Sequence, residues 1–128
     1  MSKPIQSILI AGYGVMGKGV ALSFLEAGFD VTVLTRDPAK ALQGAPAGLQ
    51  ATSTLPDAPP DIVSENFPED IPPKHALYRE MEAKGGGATI IASNTSGLDL
   101  EQVAAPLAYT QNSLCCIYPQ QAEGYTRV

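Results

Sequence analysis

Cysteine is scarce: the chain has two, adjacent at Cys115-Cys116. Neighbours on a strand point to opposite faces, so this pair makes neither a disulfide framework nor a good metal site. Basic charge is also short, with 8 Lys and Arg against 13 Asp and Glu and a formal net charge of -5. Such a surface repels nucleic acid and anionic membrane, and any anionic ligand must be held by local features. No apolar run approaches the ~20 residues of a membrane span. Met1-Ser2-Lys3-Pro4 lacks the apolar core of a signal peptide, so the cytoplasm is the expected compartment. Histidine occurs once, as His75, beside Lys74 and one turn into an expected helix. Nothing near it in sequence would orient it for acid–base work.

What remains is an ordinary globular composition, 45% hydrophobic and 16% charged, in 128 residues. That length suits one domain, residues 1–128, around a single core. Two hydrophobic periods alternate along it. Ile5 to Ala11 is a short apolar run of the kind a strand buried on both faces requires. Val15 to Ala27 reads as a helix with Met16, Val20, Phe24 and Ala27 on one side and Gly28 as its stop. Asp30 to Thr35 is a second buried strand. Asp37-Pro38 is an N-cap followed by proline at the first helical position, opening a short helix that Gly44 ends. A weaker strand is expected at Leu49 to Ser53 and a rigid loop at Pro56 to Pro60. The rhythm repeats with a strand at Asp61 to Glu65, a helix at Pro72 to Lys84, a loose Gly85-Gly86-Gly87 connection and a strand at Ala88 to Ser93. A helix at Leu98 to Leu107, with Asp99 and Gln102 at capping-box spacing, and a strand at Ser113 to Tyr118 complete it. Tyr125 to Val128 starts one more strand. Strands alternating with helices imply an α/β fold with a mostly parallel sheet, right-handed crossovers and helices on both faces.

The first strand runs into Gly12-Tyr13-Gly14-Val15-Met16-Gly17, a GxGxxG turn opening an amphipathic helix. The spacing has a physical reading in a doubly wound Rossmann-type domain. Gly12 makes the tight turn, Gly14 lets the backbone approach a pyrophosphate, and Gly17 lets the helix pack closely on the strand. The N–H groups at the helix start, including those of Val15 and Met16, and its positive dipole then hold the phosphate charge. The expected ligand is NAD or NADP. A glycine turn used only for packing is the competing reading. NAD-preferring domains place an acid at the end of the second strand, where it accepts from the ribose 2′-OH. Here that place is Thr35, followed by Arg36. Thr35 does not repel a 2′-phosphate and Arg36 can pair with one, which favours NADP. A solvated Arg36 beside an Asp37 that itself reaches the ribose is the alternative.

Four stretches together resemble the 3-hydroxyacyl-CoA dehydrogenase family, as its N-terminal domain, over nearly the whole chain. They are Gly12 to Ala21, Glu65-Asn66-Phe67-Pro68-Glu69-Asp70, Lys74, and Ile91-Ala92-Ser93-Asn94-Thr95-Ser96. The resemblance implies that Glu69 and Lys74 lie along the cofactor and that Asn94 supports its loop. It also implies that Ser96 hydrogen-bonds the 3-oxygen of a small-molecule substrate near the nicotinamide. Read without it, Asn94-Thr95-Ser96 is a turn-and-cap segment and Glu69–Lys74 a solvated pair near a helix start.

The departures fall on the chemistry. Where the family has histidine, phenylalanine, phenylalanine, asparagine and proline, this chain has Cys115-Cys116-Ile117-Tyr118-Pro119. Cys115 replaces the family's general acid/base, and the glutamate that would orient a histidine falls on Arg127. With no basic neighbour in sequence, Cys115 is expected to stay protonated and inert, as a packing residue. Only 25 residues separate Thr35 from Asp61, which leaves no room for the family's coenzyme A-contacting helical hairpin. The resemblance further implies a C-terminal helical domain beyond Val128 that closes the substrate site and forms a homodimer. Two functions fit these residues. One is the cofactor half of an oxidoreductase moving hydride between NAD(P) and a hydroxy or keto compound. The other is a dinucleotide-binding module that has lost its general acid/base. A 6-phosphogluconate or 3-hydroxyisobutyrate dehydrogenase type would account for Thr35-Arg36, but that group's glycine-rich segment is missing at 115–121.

Overall fold

The computed structural model describes residues 4–85, 89–94, 102, 105 and 114–116. Its elements are β1 (Ser7–Ala11), α1 (Val15–Glu26), β2 (Asp30–Leu34), α2 (Pro38–Leu42), β3 (Gln50–Thr52), β4 (Ile62–Glu65), α3 (Ile71–Gly85), β5 (Ile90–Ser93) and β6 (Leu114–Cys116). The strands form one sheet in the order β3-β2-β1-β4-β5-β6, with every pairing parallel. The expected helix at Leu98 to Leu107, apart from Gln102 and Ala105, lies outside the described residues, as does the start of a strand at Tyr125.

Alternation along the strands sorts the core into two layers. Leu9, Ala11, Val63 and Ile91 pack with Leu77, Tyr78 and Met81 of α3. Ile8, Ile10, Val31 and Val33 pack with Ala21 of α1 and with Leu49. β1 is buried along nearly its whole length because it is paired on both edges, which is why its sequence is a continuous apolar run.

Helix ends follow their sequence signals. Gly28, at φ +96, closes α1: the Gly28 N–H donates to Leu25 and the Phe29 N–H to Phe24. The Phe24 and Phe29 rings meet edge-on at 5.6 Å, the apolar contact that accompanies this kind of stop. Asp37 caps α2, its Oδ1 accepting from the Lys40 N–H at 3.1 Å. Pro72 and Pro73 sit in the first turn of α3, where the N–H groups they lack would have had no partner within the helix.

The stripe expected on α1 needs correction. Its buried residues are Gly17 and Ala21, and Met16 is 51% exposed. Two small residues seat the helix on the sheet, Val20 and Phe24 pack half-buried against the core beside them, and Met16 and Ala27 are left exposed along a groove shared with Val15 and Phe29.

Candidate dinucleotide-binding site

β1 pairs with β2 on one side and with β4 on the other, so the chain leaves the carboxyl end of β1 at the point where strand order reverses. Open α/β sheets place their ligand crevice there. Gly12 stands at that point with φ +90, and its N–H donates to the Leu34 carbonyl at 3.1 Å. A Cβ on Gly12 would meet the Asn66 carbonyl oxygen at 2.9 Å, and one on Gly17 would lie 2.0 Å from the Gly12 carbonyl oxygen. Both glycines are therefore required by the protein's own packing.

Gly14 is different. Its φ of -79 and ψ of -161 are open to any residue, and a Cβ there would have nothing within 4 Å. Neither backbone nor packing explains a glycine here, whereas a ligand approaching the backbone does. The helix that starts at Val15 has no side-chain cap and no acid in its first turn, which leaves its positive end for an anion. The turn thus fits a pyrophosphate. Val15, 92% exposed, and Met16 flank it with side chains turned to solvent.

Beside the turn lies a cavity of about 630 Å³. The ends of β2 and β3 form one wall with Leu34, Thr35, Arg36 and Ser53, and the β4–α3 loop forms the other with Phe67, Pro68, Asp70 and Pro73. Its size and its position next to the glycine turn suit the adenosine half of a dinucleotide. Thr35 and Arg36 were legible as candidates from sequence. Ser53, Phe67 and Asp70 were not singled out for this cavity, because only the parallel pairing of β2 with β3 and the loop after β4 bring them to it.

A buried polar cluster braces that loop. Glu65, at the end of β4, accepts from the Tyr78 hydroxyl at 2.5 Å, the Ser93 hydroxyl at 2.8 Å and the Phe67 N–H at 2.9 Å. The Lys74 ammonium pairs with its second oxygen and also donates to the Phe67 carbonyl at 3.3 Å. Glu65 and Lys74 have side-chain exposures of 0%. Burial, and next the Glu65 charge, push the Tyr78 hydroxyl far above its ordinary pKa, so it stays a donor.

The solvated Glu69–Lys74 pair is corrected by this arrangement. Lys74 begins the buried stripe Lys74-Leu77-Tyr78-Met81 of α3, and its charge is matched inside the protein. Glu69 is exposed, with an oxygen 3.7 Å from the Lys74 ammonium. Lys74 is not among the residues that line the cavity. The sequence trace of this placement is spacing alone: Lys74 stands three, four and seven residues before Leu77, Tyr78 and Met81, all buried.

Asn94, at the carboxyl end of β5, donates to the Asn66 side-chain oxygen at 2.5 Å, and Asn66 in turn donates to Ser64. The Asn94 Oδ1 is buried without a partner among the described residues. Cys115 lies on β6, in register with Ala92. Ser96 lies outside the described residues. His75, for which sequence offered no orienting neighbour, has its Nε2 at 2.7 Å from the Gln102 carbonyl oxygen. Among the described residues no group of His, Cys, Asp and Glu is arranged for a metal, and no helix is long and apolar enough to cross a membrane.

Strand order, glycine turn and flanking cavity define a Rossmann-type domain for NAD or NADP. The chain belongs to the 3-hydroxyacyl-CoA dehydrogenase family: residues 42–118 match the model of its NAD binding domain. Residues 7–66 also match the NAD binding domain of 6-phosphogluconate dehydrogenase. Among curated relatives, 5-formyl-3-hydroxy-2-methylpyridine 4-carboxylate 5-dehydrogenase of Mesorhizobium japonicum is 30% identical over 131 residues, 84% of this chain and 42% of that protein. L-carnitine dehydrogenase of Streptomyces griseus is 30% identical over 126 residues, 81% of this chain and 38% of that protein. The dehydrogenase part of multifunctional enzyme 1 from C. elegans superposes with a TM-score of 0.81 at 25% identity, over 91% of this chain and 32% of that one. The chain thus spans less than half the length of these relatives.

Proposed function

We propose that this chain is the cofactor-holding part of an oxidoreductase that moves hydride between NAD(P) and a hydroxy or keto substrate. The observation that carries the reading is Gly14, a glycine that the protein's own packing does not need, at the start of an uncapped helix. In this reading the Gly12–Gly17 turn and the α1 N-terminus hold the pyrophosphate. Leu34, Thr35, Arg36 and Phe67 enclose the adenosine, with Glu69 at the edge of the same loop. The nicotinamide supplies hydride transfer when the cofactor is bound, and the protein sets its position against the substrate. Asn94, at the carboxyl end of β5, stands on the cofactor side, and Ser96, two residues on in the sequence, is the donor to the reacting oxygen. Lys74 acts through Glu65 by bracing the loop. A cytoplasmic location and a homodimer formed through a helical domain belong to the same reading, the homodimer taken from the family.

A binding module without catalysis is the second reading. Cys115 favours it, because a thiol is a poorer acid/base near neutrality than an oriented imidazole. Oxidation of a 3-hydroxyacyl-CoA by the chain with NAD or NADP separates the two: turnover supports the enzyme, and tight binding without turnover the module.

Calorimetry on Gly14→Val tests the site itself. The added side chain enters open space, so folding is retained while nucleotide binding is abolished. Undiminished affinity would show that the turn is only structural.

A further inference from the structure

We propose that the ends of β2 and β3 form a seat for the 2′-phosphate of NADP, made by Thr35, Arg36 and Ser53, so that the site prefers NADP over NAD. The proposal rests on the dinucleotide reading and adds the choice between the two cofactors.

Registers of the parallel pair place these residues together. Leu34 stands opposite Thr52, and the Thr35 N–H donates to the Thr52 carbonyl at 2.9 Å, so Thr35 and Ser53 leave the sheet side by side. Neighbouring strands are about 4.8 Å apart, a span that two hydroxyls and one phosphate group bridge. All three residues line the same wall of the cavity beside the glycine turn. Arg36 is exposed there and makes no hydrogen bond or ion pair among the described residues, so its guanidinium fork is open to a ligand.

The charges around the seat agree with this. A domain built for NAD needs an acid at the end of β2 to accept from the ribose hydroxyl, and Leu34-Thr35-Arg36 supplies none. Asp37, the next residue, has committed Oδ1 to capping α2 through the Lys40 N–H. That capping role weighs against the alternative in which Asp37 reaches the ribose. Among the described residues Asp70 is the one carboxylate on the cavity wall, and it belongs to the β4–α3 loop on the opposite side. A 2′-phosphate, with close to two negative charges, therefore meets a cation and two hydroxyls on the β2–β3 side.

The test is titration of the chain with NADPH and NADH by fluorescence, for the wild type, Arg36→Ala, Ser53→Ala and Asp70→Asn. NADPH is expected to bind about 10- to 150-fold more tightly than NADH, the range given by charge-assisted hydrogen bonds. Arg36→Ala erases most of that gap by weakening NADPH far more than NADH. Ser53→Ala weakens NADPH about 2- to 12-fold and NADH by less. Asp70→Asn moves both cofactors together. Equal or tighter binding of NADH by the wild type would overturn the proposal while leaving the dinucleotide reading standing. A Ser53→Ala variant with wild-type affinities would remove Ser53 and overturn the three-residue seat. Failure of both cofactors to bind would overturn the dinucleotide reading, and the seat with it.

Discussion

Lys74→Met isolates the buried ion pair from everything else in the fold. Methionine keeps most of the side-chain volume and leaves the Glu65 carboxylate buried without its cation. Removing one partner of a buried pair costs about 3–5 kcal/mol. Three donors remain on Glu65, from Tyr78, Ser93 and the Phe67 N–H, so the loss belongs at the lower end, about 3 kcal/mol. At the m-values of small domains that moves a urea midpoint down by about 1–3 M. Lys84→Met is the internal control, because Lys84 meets Asp57 at 3.3 Å with the aspartate side chain fully in water. Exposed pairs of this kind contribute little, and the control midpoint stays at the wild-type value. Urea unfolding followed by far-UV circular dichroism reads both variants. A Lys74→Met midpoint no lower than that of Lys84→Met would refute the reasoning, since the pair would then behave as a solvated one.

Gly17→Ala places a methyl 2.0 Å from a backbone oxygen that cannot move aside, so it should cost about 3 kcal/mol or more, read as a lowered urea midpoint or lost expression. A variant unfolding like the wild type would contradict the close helix–strand contact. Tyr78 gives an alkaline signature. Its folded-state pKa lies above the unfolded value of about 10, so its contribution is complete below pH 10 and declines above it, by up to about 1.4 kcal/mol per pH unit. Unfolding free energies at pH 9 and pH 11 should differ more in the wild type than in Tyr78→Phe, and identical differences would count against a buried phenol.

Local pattern carried the fold well where one physical cause dominated. β1, β2, β4 and β5 are apolar runs because each is paired on both edges, and Gly28, Asp37 and the GxGxxG turn each encode a backbone conformation at their own position. The α1 stripe misled for a steric reason. Periodicity detects where large apolar residues recur, whereas the closest approach is made by Gly17 and Ala21, whose value lies in being small, with Val20 and Phe24 packed beside them. The cavity wall was only half legible. Thr35 and Arg36 follow from the motif, but Ser53 joins them through a crossover pairing that no short window contains. Lys74 was legible as a site residue by family likeness and illegible as a core residue, since its partner Glu65 belongs to another element.

The position of β1 also bears on how the chain emerges during synthesis. It is made before the other described strands, yet one of its two edges is completed only by β4, and the clasp at its start depends on Asp61. The Asp61 Oδ2 accepts from the Gln6 and Ser7 N–H groups, and the Asp61 N–H donates back to Ser7. Hydrogen-bond partners 54 residues apart cannot meet until both have left the ribosome. At ordinary elongation rates that interval is about 3–10 s. For that time Ile8 to Ala11 is an apolar strand with one open edge, covered at most by β2 on its other side. The strand that anchors the nucleotide turn is thus the last interior strand of the N-terminal half to have both edges closed.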